Sequence, residues 1–160
     1  METNSVIEKC NTKEYISHQT INGKFSRYDL IVKYMFVEEY FKQGKLDNFK
    51  YKLYSKIIAT RDREAQPWKF IKLIKSFENV GFDDQYHLYM TRDYITGGGK
   101  HRIALCLWFN IPEFPVIFRE HYRNKKRNYT EKKMIKYGFK KYMPDIEKNR
   151  KNIFNKLGIE

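Results

Sequence analysis

Residues 97–102 read Gly-Gly-Gly-Lys-His-Arg and run directly into the apolar segment that begins at Ile103. Three of the chain's eight glycines stand together there. Glycine lets backbone approach an anion closely and tolerates positive φ. A helix starting at such a turn offers unpaired N–H groups and the positive end of its dipole. Lys100 adds a point charge, Arg102 a fork that matches phosphate oxygens, and His101 a ring donor. Cations at a helix N-terminus oppose the dipole, and an anionic ligand would remove that conflict. Gly97, Gly98, Gly99, Lys100, His101 and Arg102 therefore suit a bound phosphate. The same residues also describe a plain tight turn with exposed basic side chains. Two familiar phosphate cradles are excluded: neither the GxxxxGK[ST] spacing nor GxGxxG with a later acid is present.

A second group of charges lies at Arg61, Asp62, Arg63 and Glu64, in a connection closed by Pro67. Its arginines have the chemistry to reach a phosphate, and Asp62 or Glu64 that of a general base. A solvated charged loop reads the same way. Asp29, Glu38 and Glu39 are further carboxylates, and Glu38 and Glu39, being adjacent, cannot both face one site. His18, His87 and His121 are scattered with no metal-ligand spacing. No protein metal site is expected, and a divalent cation such as Mg2+ would arrive with a nucleotide. Cys10 and Cys106 form no CxxC motif, and Cys106 reads as a small core residue.

The elements that would carry these groups follow from periodicity. Leu30, Ile31, Tyr34, Met35, Val37 and Phe41 recur at helical spacing, with Lys33, Glu38, Glu39 and Lys42 on the opposite face. Ser26 and Asp29 suggest a cap at its start, and Gly44 its end. A shorter helix is expected over 49–60. Phe70, Ile71, Ile74, Phe77 and Val80 mark a clear amphipathic helix after Pro67, with Lys69, Lys72 and Lys75 outside and Gly81 at its end. Tyr86, Leu88 and Met90 alternate with polar residues as in a strand, and Arg92–Tyr94 can turn the chain back along Ile95 and Thr96. Lys100–Asn110 reads as a short buried helix, apolar almost all round, and Pro115–Arg119 reads as a strand. Residues 127–160 read as two basic helices broken near Gly138 and Met143-Pro144, with Asp145 as a cap. Residues 1–20 are polar without a sustained period. The expected fold is α+β, with a small mixed sheet and packed helices over 21–120, an N-terminal polar segment 1–20, and a basic helical extension 121–160.

Composition sets the outer bounds. With 41% apolar and 17% aromatic residues, the chain can fill a core. It has neither an apolar run of membrane-spanning length nor an apolar N-terminal stretch of signal-peptide length, so a cytoplasmic location is expected. The formal charge is +13, which points to an anionic partner. Residues 119–160 hold 14 Lys+Arg against 5 Asp+Glu, so +9 of that charge is C-terminal. This tail suits a DNA or RNA backbone, with tyrosine near Arg123–Arg127 able to stack on bases.

The stretch from Phe70 to Phe118 resembles the ParB/sulfiredoxin-like superfamily. The resemblance covers about residues 60–118: a helix ending in glycine, a strand, a turn of the G-G-x-H-R type at Gly98, Gly99, His101 and Arg102, a buried helix, then Ile111 and Pro115-Val116. Looser features resemble members found among surface-polysaccharide genes. The resemblance implies a nucleotide-phosphate site at the glycine turn, with an arginine-bearing segment such as Arg61–Arg63 nearby. Activities in the superfamily include repair of sulfinic cysteine, CTP binding, and ATP- or ADP-dependent phosphorylation of a small hydroxyl compound. Sulfiredoxins carry a catalytic cysteine just before the His-Arg pair, where this chain has Lys100. Sulfinic repair is therefore not implied. A phosphotransferase using ATP or another nucleotide with Mg2+ is, with an unknown hydroxyl substrate.

Overall fold

The central strand of the main sheet is the Pro-containing run Glu113–Arg119 (β5), buried from Phe114 to Val116. On one side it pairs antiparallel with Glu8–Asn11 (β1), and on the other parallel with Leu88–Thr91 (β4). Parallel neighbours need a long crossover. Here the crossover carries the short helix Lys100–Trp108 (α5), whose residues from Ile103 to Leu107 are all buried. A separate two-stranded ribbon joins Thr20–Ile21 (β2) to Lys24–Phe25 (β3). The computed structural model describes residues 6–43, 48–120 and 128–159, and residues 43 and 48–51 by backbone alone.

Among the described residues the helices are Thr12–Ser17 (α1), Tyr28–Gln43 (α2), Asn48–Ala59 (α3), Pro67–Val80 (α4), α5, Glu131–Lys136 (α6) and Met143–Leu157 (α7), with one 3-10 turn at Lys140–Tyr142. The fold is α+β, as expected. Helices 28–43, 67–80 and 100–108 and strands β4 and β5 lie where periodicity placed them. In α4, Phe70, Ile74 and Phe77 face inward while Lys69, Lys72 and Lys75 are exposed. The return after β4 exists as a bridge between Met90 and Thr96, closed by Thr91 N–H to Ile95 C=O at 2.9 Å. Gly44 and the segment around Arg123–Arg127 lie outside the described residues.

Four expectations are corrected. First, α2 has no outer face where Lys33 and Glu39 were placed. Helix α2 packs against α3, α5 and α7, and Lys33 is 1% exposed and Glu39 6% exposed. Glu38 and Lys42 do pair at the surface, at 2.8 Å. Second, no Ser26–Asp29 capping box forms. The helix starts at Tyr28, the Ser26 backbone pairs with Gln19 and Tyr129, and the Asp29 carboxylate is taken by two arginines. Third, the polar N-terminal stretch is structured over β1 and α1. Cys10, Tyr15 and Ile16 are buried, and the Asn11 side chain accepts from Glu14 N–H at 3.0 Å as a cap. A four-residue strand with one apolar residue leaves no period to read. Fourth, Asp145 sits inside the first turn of α7 and the N-cap position belongs to Tyr142.

The C-terminal residues 128–159 share the main core. Tyr129, Met134, Phe139, Met143, Ile146 and Ile153 all join it. Tyr129 exchanges backbone hydrogen bonds with Ser26 and Tyr28, and Lys156 Nζ donates to Leu107 C=O at 3.0 Å. Among the described residues, no helix is long and apolar enough to cross a membrane.

Candidate functional site

The glycine turn sits between the bridge at Thr96 and the first residue of α5. Gly99 takes the left-handed conformation, φ 86°. A side chain there would be strained, and its Cβ would lie 2.2 Å from Leu88 Cδ2. Gly99 is thus required by the turn and by its packing on β4. Gly97 and Gly98 are exposed, and a Cβ on Gly98 would meet open space. The first intrahelical bond runs from Ile103 N–H to Gly99 C=O at 3.0 Å. The N–H groups of Lys100, His101 and Arg102 precede it, and no side chain caps them.

This helix start opens onto a cleft of about 630 Å³ between α3, the 61–66 connection, α4 and α5. That volume is within the usual range for a small-molecule site. Its apolar wall includes Tyr54, Ile58, Phe70 and Leu73, and its cationic rim is Arg61, Arg63, Lys69 and Arg102. Gly99 and His101 complete the turn's side, and Glu64 is the sole carboxylate among the described lining residues. Chain segments far apart in sequence, 61–64 and 99–102, therefore meet here. Asp62, Gly97, Gly98 and Lys100 are outside this lining. Asp62 is exposed on the turn after α3, with φ 55°.

His101 is wedged between aromatic rings. Its Nε2 shares a 2.7 Å hydrogen bond with the Tyr54 hydroxyl, and its ring stands edge-on to Phe70 at 4.7 Å. Burial first, and then the neighbouring Lys33 and Arg61, push its pKa down to about 3. The ring is neutral near pH 7 and acts by hydrogen bonding rather than as a cation. Arg102 leaves the helix over the exposed Tyr86 ring, 4.5 Å from its centroid.

Behind the rim lies a buried charged cluster. Asp29 Oδ2 accepts from Arg61 at 2.8 Å and from Arg27 at 3.2 Å, and the carboxylate is wholly buried. Arg61 Nε donates to the Tyr129 hydroxyl at 3.2 Å, and the Thr60 hydroxyl lies 2.9 Å from the same oxygen. Both guanidiniums also stand over the Tyr129 ring. Lys33 follows Asp29 by one helical turn, and Lys100 is 8% exposed. Burial pushes Lys33 down to about 7 and Lys100 down to about 8, against the attraction of Asp29. One carboxylate thus faces four basic side chains. Lys100 turns into this cluster and does not line the cleft.

Sequence reasoning did not find Lys33 or Arg27 as site residues, nor the apolar wall of the cleft. A signal for Lys33 was present: a lysine inside the run Leu30–Val37 is a costly choice unless it is paired. The thiol of Cys106 is buried and pushed up to about 12, so it is not a reactive group. Among the described residues no three His, Cys, Asp or Glu side chains come together as metal ligands.

No family model, no curated protein and no solved structure matches the chain.

Proposed function

We propose that this protein is a nucleotide-phosphate-binding member of the ParB/sulfiredoxin-like superfamily, and that its reaction is phosphoryl transfer from ATP or ADP to a small hydroxyl compound. One observation carries the reading. An uncapped helix start and four cationic side chains, Arg61, Arg63, Lys69 and Arg102, converge on an apolar-walled cleft with a single carboxylate, Glu64, among its described lining residues. The apolar wall suits a base or sugar and the rim suits phosphates. Neutral His101 would hydrogen-bond the transferring group, and Glu64 would take the acceptor's proton. Asp62, exposed and outside the lining, is less well placed for that role. Mg2+ would be held mainly by phosphate oxygens and water, with Glu64 as the available protein carboxylate. A cytoplasmic setting and a role in a metabolite or surface-polysaccharide pathway belong to the same proposal.

Isothermal titration with ATP, ADP and CTP, with and without Mg2+, tests it. Arg102→Ala should weaken the preferred nucleotide by on the order of 10- to 100-fold, the loss expected for a charged hydrogen bond. Tight binding that ignores Arg102 would sink the assignment.

A second reading is favoured by a separate groove between the β2–β3 ribbon and α6, lined by Lys24, Lys132, Lys133 and Lys136 beside Ile21 and Ile135. That surface suits a nucleic-acid backbone. Labelled DNA or RNA should then lose affinity steeply with salt, and triple charge reversal at Lys132, Lys133 and Lys136 should flatten the slope by about three contacts' worth. A flat salt response in the unaltered protein removes this reading.

A further inference from the structure

We propose that the groove between the β2–β3 ribbon and α6 takes a single strand of nucleic acid. An unpaired base sits on Ile21 and Ile135, and the flanking phosphates lie on Lys24, Lys132, Lys133 and Lys136. The strand preference rests on the nucleic-acid reading of the same groove, which accounts for the lysines but not for the apolar surface beside them.

The local geometry fixes the groove from both sides. Asn22 and Gly23 take positive φ, 53° and 75°, as in the two-residue turn that matches the twist of a hairpin. That turn sets Ile21 opposite Lys24, and opposite residues of a ribbon share a face. Tyr129 N–H donates to Ser26 C=O at 2.8 Å, and Tyr129 C=O accepts from Tyr28 N–H at 3.1 Å. These bonds anchor the chain at its neighbours Asn128 and Thr130, which also line the groove. On α6, Lys132, Ile135 and Lys136 stand at i, i+3 and i+4, on one helix face. Each wall thus presents an isoleucine beside lysine.

Charge and apolar surface together select the occupant. Four lysines face a single carboxylate, Glu131, among the described lining residues. Among the described residues none of the four is in an ion pair, so an anion is the complement they lack. The Thr130 hydroxyl accepts from Lys133 N–H at 3.4 Å and caps α6, so the attraction comes from side chains and not from the helix start. The groove measures about 730 Å³, enough to enclose a small ring system. Ile135 is 42% exposed on this basic surface, and phosphates offer it nothing apolar. The face of a base does. Asn128 has an amide oxygen without a hydrogen-bond partner. Phosphodiester oxygens only accept, whereas base edges carry N–H donors. A duplex keeps its bases stacked inside and brings mainly phosphate and sugar to a surface. A single strand can turn a base outward.

The test is fluorescence anisotropy of the full chain with labelled strands of about ten nucleotides, as DNA and as RNA, at about 0.15 M salt. The matching duplexes are compared, together with an abasic DNA strand that keeps the phosphates and lacks the bases. The intact strand should bind about tenfold more tightly than the duplex or the abasic strand, the scale of one seated base. Whichever of DNA and RNA binds more tightly is the strand the groove takes. Ile135→Ala should weaken the intact strand by about fivefold and leave the abasic strand unchanged. Asn128→Ala, which lies off the helix, should show the same selectivity. Intact and abasic strands of equal affinity, a duplex as tight as the strand, or variants that weaken both strands alike each overturn the base site. A steep salt response alongside any of these leaves the nucleic-acid reading of the groove standing. No binding of any strand, or a polyglutamate chain that competes as well as the intact strand, removes both.

Discussion

Asp29→Ala is expected to cost about 3–5 kcal/mol of stability, the loss typical when one partner of a buried ion pair is removed. Burial alone would raise this carboxyl's pKa, but Arg27, Lys33, Lys100 and Arg61 together hold it below the ordinary carboxylate value. A group with a lowered folded pKa contributes stability above its unfolded value and loses it as pH falls through the folded one. The contribution is therefore fully present at pH 7. Removing the carboxylate takes away the acceptor to which Arg27 and Arg61 both donate and the negative charge facing two buried lysines. Arg61 also loses the anchor that fixes its direction at the cleft rim. Asp29→Asn keeps the shape and an acceptor oxygen but not the charge, so its loss should be intermediate. Urea unfolding at pH 7 measures both. A loss under about 1 kcal/mol for Asp29→Ala would mean that the cations relax into water and that the cluster is not a fixed feature. The same experiment repeated with Lys33→Met in the background should recover part of the loss, because one stranded charge is gone.

The elements that sequence patterning located are those whose environment is one-sided. Helix α4 has a wet lysine face and a buried Phe70–Ile74–Phe77 stripe, so its period is visible. Helix α2 packs against three other helices, and its polar residues Asp29, Lys33 and Glu39 are buried, which leaves Glu38 and Lys42 to the surface. Lys33, lying between apolar positions of the stripe, looked like part of an outer face only because the pattern cannot say what covers a helix. Strand β1 was invisible for a different reason. Its pairing partner, β5, lies about a hundred residues away, and the four residues Glu8–Asn11 carry too little apolar signal to predict a strand.

The candidate site divides along the same line. Its turn is local, and a Gly-rich segment before an apolar helix announces itself. The meeting of 61–64 with 99–102 was suggested by the superfamily resemblance and not by spacing. The buried charged cluster needs α2, the turn after α3 and α5 together, and only tertiary packing brings Asp29, Arg61 and Lys100 to one place. Lys100 illustrates the limit most directly. A basic residue at the first position of a helix was expected to face an external phosphate, yet the left-handed Gly99 turns it inward to 8% exposure.

Removing everything after residue 127 should unfold the protein rather than trim a basic tail. Tyr129, Met134, Phe139, Met143, Ile146 and Ile153 are each buried to 7% exposure or less. Burial of one large apolar side chain stabilises by about 1.5–3 kcal/mol, so six together supply roughly 9 kcal/mol or more. That is comparable with the whole net stability of a typical domain, about 5–15 kcal/mol. The lost polar contacts act in the same direction. Tyr129 N–H and C=O hold Ser26 and Tyr28, its hydroxyl receives Arg61, and the Tyr28 hydroxyl donates to Glu147 on α7. The truncated chain should show no cooperative thermal transition by circular dichroism, and it should expose Arg27 and Asp29 to water. A folded truncation with a normal melt would overturn the assignment of the C-terminal helices to the main core. Because Tyr129 links that segment to Arg61, the C-terminal helices support the cleft mechanically even if no nucleic acid ever touches their lysines. Their excess positive charge is therefore probed by charge reversal on the α6 surface, which leaves the buried face of the segment intact.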